Sequence, residues 1–194
     1  TQRRSSSRSM ECRRFRITLI SANDLPAVQD SGKTRVYAKV SLDGKRKTEK
    51  RTPADKEGQI NPRWNFTLWY KVAEALIQQE DVNIAIKLYA ENNLRDKYVG
   101  ELNLPLKNLF DNGLTAEKVS YALEHKSSDA SFSKGTLQMS YSFGEKIIVK
   151  NLAGWKKAAD YGATILLKGT CLLVFGFVVE EEDDVGDHDV LVKP

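Results

Sequence analysis

The sequence predicts an all-β domain, two antiparallel sheets packed face to face as a β-sandwich. Two features predict it. Apolar and polar residues alternate with period two in seven or eight short runs over residues 12–143, the pattern of strands with one buried face. Turn signals stand between the runs: Asp43-Gly44, Pro53 to Gly58, Asn92-Asn93, Asn112-Gly113 and Lys134-Gly135. Short strands punctuated in this way select a sandwich over a helical or α/β arrangement.

The elements follow in order. Residues 1–11 are rich in Ser and Arg without periodicity and read as a flexible basic arm. The domain is expected over 12–144. Phe15, Ile17 and Leu19 alternate with Arg14, Arg16 and Thr18; the next runs are Val36, Ala38, Val40, Leu42 and Trp64, Phe66, Leu68, Tyr70. Then come Val82, Ile84, Ile86, Leu88; Leu102, Leu104; Val119, Tyr121, Leu123; and Leu137, Met139, Tyr141, Phe143. Two connectors read as short helices, 72–80 with Val72, Leu76 and Ile77 on one side, and 106–110. Beyond the domain stand a basic linker (145–160), an apolar segment (161–179) and an acidic tail (180–194).

Composition removes several functions. An apolar fraction of 41% and a charged fraction of 29% exclude wholesale disorder. Cys12 and Cys171 lie far apart, which excludes a disulfide-stapled scaffold and a cysteine zinc site and fits a reducing compartment. With only His125 and His188, a histidine metal site is excluded as well. Neither histidine has a local partner, and no nucleophile–base pair or glycine-rich phosphate loop is visible, so no enzyme is expected. The net charge of +4 hides an asymmetry: seven acids against Lys193 give 180–194 a charge of −6, leaving +10 on the rest. A body so charged points to a polyanion. Nucleic acid and an anionic membrane surface both fit, and charge alone does not choose. The Arg-rich arm has neither interleaved aromatics nor a reading motif, so no nucleic acid is expected.

Three segments together resemble a C2 domain. The first is Ile17-Thr-Leu-Ile-Ser-Ala-Asn-Asp-Leu25 followed by Lys33-Thr-Arg-Val-Tyr-Ala-Lys-Val40, with Tyr37 at its centre. The second is Thr48-Glu-Lys-Arg51 leading to Asn61-Pro62-Arg63-Trp64-Asn65. The third runs from Lys87-Leu-Tyr-Ala90 through Asp96-Lys-Tyr-Val-Gly100. Among C2 proteins the likeness is to small plant members linked to cold and defence responses, which join one C2 domain to a variable, often membrane-anchored C-terminus. It implies an eight-stranded antiparallel C2 β-sandwich and a non-enzymatic adaptor on the cytoplasmic face of a membrane, plasma membrane or endoplasmic reticulum. Stress or defence signalling is implied with it. The alternative is a protein–protein module engaging an acidic partner or a larger C2-containing regulator. Pro62 sets φ at the start of a strand, and Trp64 is expected to bury a large apolar area against the facing sheet. Asn65-Phe66-Thr67 also matches a glycosylation sequon, read as accidental inside a core strand.

Calcium-dependent members place about five acids in the first and third loops, because the ion takes six to eight oxygens. Here the first loop keeps Asp30, but Arg35 holds the family's second acidic position. The third loop has Ala90 and Asn92 where carboxylates are usual and retains Asp96 next to Lys97, while period two points Glu91 away. Weak or absent calcium binding is expected, with no other cofactor. Attraction to anionic lipid then falls to Lys45, Arg46, Lys47, Lys50, Arg51 and Lys56, all within twelve residues. The resemblance places the family's lysine-rich lipid surface on the matching strands. On an extended strand Lys45 and Lys47 would share one face, Arg46 and Lys50 the other. Such residues also protect an edge strand from aggregation, and both readings stay open.

The apolar run 163–179 would span about 25 Å as a helix, the short end of a membrane crossing. Lysines before it and acids after it would leave the C2 domain in the cytosol, with Trp155 at the interface and Lys168 snorkelling. Gly162, Gly169 and Gly176, seven residues apart, would line one stripe through which two helices could self-associate. The other readings are a β-hairpin turning at Lys168-Gly169 or a buried strand pair, and an interfacial helix.

Overall fold

Phe15, Ile17 and Leu19 alternate along the first strand, β1 (Ser9–Asn23), and all three are fully buried. That strand is the centre of the computed structural model, which describes residues 9–27, 34–125, 135–150, 164–168 and 171–175. In chain order there follow β2 (Val36–Leu42), β3 (Lys50–Arg51), β4 (Arg63–Ala73), helix α1 (Glu74–Ile77) and β5 (Asn83–Ala90). Then come β6 (Lys97–Pro105), helix α2 (Leu106–Asp111), β7 (Thr115–Ala122) and β8 (Thr136–Lys150). One sheet has the order β4-β1-β8-β7 and the other β3-β2-β5-β6. All pairs are antiparallel. This is the expected eight-stranded sandwich.

Inward residues of both sheets meet in one core. Phe15 packs 4.7 Å from Phe143 and 6.4 Å from Tyr70 between ring centroids. It faces a second sheet that buries Val40, Leu42, Ile84, Ile86 and Leu88. The Tyr70 hydroxyl donates to the Val40 carbonyl at 2.8 Å, so one aromatic both fills the core and bolts the sheets together. Tyr141 does the same toward the Leu109 carbonyl of α2, at 3.0 Å.

Two boundaries move. β1 begins at Ser9 and β8 runs to Lys150, pairing from Ser9↔Lys150 to Arg13↔Lys146. The start of the strand therefore lies inside the expected arm and its partner's end inside the expected linker, because ladder hydrogen bonds continue as long as both strands do. Val72 belongs to β4 rather than to a helix, leaving α1 a single turn.

The apolar segment also differs from the expected helix. Thr164–Lys168 and Cys171–Phe175 form two antiparallel strands, β9 and β10, with Lys168 opposite Cys171. The described part therefore follows the hairpin reading. Each strand is five residues long, the length of an ordinary short strand. Among the described residues no helix is long and apolar enough to cross a membrane. Trp155, Gly162, Gly169 and Gly176 lie outside the described residues, as does the acidic tail.

Candidate functional site

At one end of the sandwich the motif residues knot three strands together. Pro62 leads into β4, and its carbonyl accepts the Ala22 amide of β1 at 3.0 Å. Asn61 Oδ1 accepts the Asp24 amide at 2.9 Å. The Trp64 indole, half-buried, donates to the Val36 carbonyl of the facing sheet at 3.0 Å. Asn65 is exposed with φ of 45° beside the register shift in the β1–β4 ladder, a conformation asparagine tolerates better than most residues. Gly100 allows a close crossing: a Cβ there would lie 3.1 Å from the His125 ring. Trp64→Phe keeps an aromatic ring but loses the donor to Val36 and part of the packed area. It is expected to cost about 1–2 kcal/mol, read as a lower urea midpoint with unchanged slope.

The described third-loop carboxylates, Asp96 and Glu91, are committed to protein partners. Tyr37 donates its hydroxyl to Asp96 Oδ2 at 2.7 Å, and the Asn92 amide donates to Oδ1 at 3.1 Å. The phenol, and after it the amide, hold the Asp96 carboxyl below its ordinary pKa. Glu91 lies between two guanidiniums, 2.6 Å from Arg51 and 3.6 Å from Arg35. Asp30 lies outside the described residues. Among the described residues no three His, Cys, Asp or Glu side chains converge as a metal site.

The basic cluster does not fold as an extended strand. Arg46–Thr48 form a 3-10 turn, because the buried Thr48 hydroxyl accepts the Leu42 amide at 2.9 Å and donates to the Lys45 carbonyl at 2.8 Å. The expected face sharing of Lys45 with Lys47 and of Arg46 with Lys50 is thereby lost. Lys45 pairs with Asp43 at 2.7 Å, and Arg46 and Lys47 point into water. Lys50 turns to the sandwich edge, donating to the Trp69 carbonyl and lying 4.6 Å from the Tyr70 ring centroid. Burial there lowers its pKa. Lys56 belongs to the opposite end: neighbouring Asp55 bridges to Val36, while the turn at Arg46 follows Leu42. The seven residues of β2 lie between them, about 20 Å.

One member of the cluster, Arg51, joins two lysines not singled out in the sequence. In the β3-β2-β5 ladders Lys39 stands opposite both Arg51 and Lys87, which places three cations side by side on the outer face. Tyr37 and Tyr89 stack beside them at 5.7 Å between ring centroids. The Arg51 guanidinium lies 3.6 Å from the Tyr37 ring centroid and the Lys39 amine 5.5 Å from that of Tyr89. Like charges directly opposite repel, and the row is held by Glu49 at 2.8 Å from Lys39, Glu91 on Arg51, and Glu101 at 3.8 Å from Lys87. Lys39 and Lys87 each occupy an outward position in an alternating run, so their exposure was readable. Their adjacency depends on register.

Comparison with known proteins agrees with this architecture. A C2 domain profile matches residues 13–121. The "Protein SRC2 homolog" of Arabidopsis thaliana is 34% identical over 148 residues, 75% of this chain and 45% of that protein. "Protein SRC2" of Glycine max is 34% identical over 144 residues, 72% of this chain and 49% of that protein. The chain thus spans about half the length of the curated relatives it matches. Among solved structures, a C2 domain of plant Extended Synaptotagmin 1 superposes with a TM-score of 0.52 at 16% identity, covering 68% of this chain and 94% of that one. The calcium-bound pair of C2 domains of Extended-Synaptotagmin 2 gives 0.54 at 18% identity, over 77% and 51%. At these identities the structures attest the fold alone. The sandwich order, the Asn-Pro-Arg-Trp-Asn knot and a profile match over more than half its length make this chain a member of the C2 domain family.

Proposed function

We propose that the protein is a non-enzymatic membrane-docking adaptor whose C2 domain binds anionic phospholipid without calcium. The observation that carries this reading is the Arg51–Lys39–Lys87 row flanked by Tyr37 and Tyr89. Phosphate oxygens can accept from several such donors at once, and each basic side chain near an anionic leaflet contributes about 1 kcal/mol. Calcium independence is supported by the loops: Asp96 is tied to Tyr37, and Glu91 is held between Arg35 and Arg51. A divalent ion would have to displace those partners. The setting implied by the plant resemblance is the cytoplasmic face of a membrane, in stress or defence signalling.

A second reading has its own support. Glu49, Glu91 and Glu101 alternate with the cations of the row, a mixed pattern that also suits a protein partner. Co-sedimentation with phosphatidylcholine vesicles containing increasing phosphatidylserine separates the two. Lipid docking predicts binding that rises with the anionic fraction, survives a calcium chelator and weakens with salt. Indifference to anionic vesicles at low salt would leave the protein-partner reading.

A further inference from the structure

The outer face of the β4-β1-β8-β7 sheet carries a second charged surface. Arg14, Arg16 and Thr18 of β1 stand in register with Lys71, Trp69 and Thr67 of β4. Trp69 is 49% exposed, a large aromatic left in water, and the Arg16 guanidinium lies 5.5 Å from its ring centroid. Arg14 and Lys71 are direct cross-strand partners, which adds to the positive charge of this face. On the other side of β1, Ser142 and Ser140 face Arg16 and Thr18, and the Ser142 hydroxyl accepts from Arg16 Nε at 3.1 Å. Among the described residues neither Arg16 nor Lys71 is in an ion pair, in contrast to Lys39, Arg51 and Lys87 on the other sheet. Cations, hydroxyls and an exposed indole on three adjoining strands suit an extended run of carboxylates.

The chain contains such a run. Glu180, Glu181, Glu182, Asp183, Asp184, Asp187 and Asp189 follow the hairpin closely. β10 ends at Phe175 and lies beside β4. Five residues lead from Phe175 to Glu180, enough to cover up to about 17 Å when extended. Adjacent strands are about 4.8 Å apart, so that length covers about three strand spacings from a hairpin that lies against β4.

We propose that the acidic segment 180–189 docks on this face across Lys71, Trp69 and Arg16. Docked, it screens the positive charge of one broad side of the domain and leaves the Arg51–Lys39–Lys87 side to set the orientation toward an anionic surface. That consequence rests on the lipid reading; the docking itself does not.

The test uses the full chain without lipid. A carbodiimide joins an amine to a carboxyl in direct contact, with loss of one water, and peptide mass spectrometry locates the bond. The expected product is a monomer in which Lys71 is joined to a carboxylate of 180–189. Its yield should fall several-fold in about 0.5 M NaCl and about two- to fivefold in Arg16→Gln. Arg16 is exposed, and the salt series on the unaltered chain does not depend on how the variant folds. Tail carboxylates joined instead to Lys39 or Lys47 would overturn the proposal. So would a Lys71 product confined to cross-linked dimers, which would make a second copy the occupant, or no Lys71 product at low salt. A product insensitive both to salt and to Arg16→Gln would overturn it too. Failure to bind vesicles would leave this result untouched, so the two readings fail separately.

Discussion

Replacing Asp55 by alanine is expected to lower stability by about 2–4 kcal/mol. Its carboxylate gathers the chain between β3 and β4: Oδ2 accepts the Arg63 amide at 2.9 Å and the Gly58 amide at 3.0 Å, and Oδ1 accepts the Glu57 amide at 3.1 Å. A Cβ at Gly58 would come within 2.4 Å of both Asp55 Oδ2 and the Asn61 carbonyl, so the loop is drawn tight around this group. Removing it takes the acceptor from three amides, of which that of Gly58 is part-buried, and loosens the loop beside the Asn61-Pro62 turn that seats Trp64. The melting temperature should fall by about 10 °C, with Asp55→Asn recovering part of the loss through its remaining oxygen.

The pH dependence follows from the same contacts. Partial burial opposes the Asp55 charge, but the amides of Arg63, Glu57, Gly58 and Lys56 outweigh it, and the folded pKa lies below the ordinary carboxylate value. A depressed folded pKa stabilises fully above the unfolded value, about 4, and the contribution is lost as pH falls through the folded one. Asp96 acts in the same direction through Tyr37. The gap in urea midpoint between the native chain and Asp55→Asn should therefore narrow below about pH 4. A gap that holds constant from pH 7 to pH 3 would refute the assignment.

Changing Lys39, Arg51 and Lys87 together to alanine is expected to weaken binding to vesicles containing phosphatidylserine by about ten- to a hundredfold. The upper figure assigns each cation its full contribution near an anionic leaflet. The lower one allows for Glu49, Glu101 and Glu91, which already neutralise part of the row. Lys50→Ala should have little effect on binding, because that amine points to the Trp69 carbonyl and the Tyr70 ring rather than outward. Arg46→Ala with Lys47→Ala gives the control at the sandwich end. If that pair costs more than the triple change, the domain docks end-on and the row is not the contact surface.

The difference between the two basic sets shows how far sequence reading reaches. Lys45 to Lys56 looked like one patch because they are close along the chain, yet Thr48 pulls the middle of the run into a turn. The far member, Lys56, sits at the other end of the domain. Arg51 could be counted correctly as surface charge but not matched to Lys39 and Lys87, which lie 12 and 36 residues away. The calcium expectation rests on residue type alone, through Arg35, Ala90 and Asn92; that Glu91 is held by two guanidiniums is a matter of packing.

Alternation of apolar and polar residues was enough to establish the sandwich, its strands and its buried faces, because burial on one side of a pleat has a period that any reader can count. The Asn61-Pro62-Arg63-Trp64-Asn65 turn was equally readable, since proline and tryptophan act through their own covalent shape. Strand ends, the fate of the apolar segment and the composition of the charged faces were decided only when strands paired. Pairing sets the register, and register brings into contact side chains that no local rule relates.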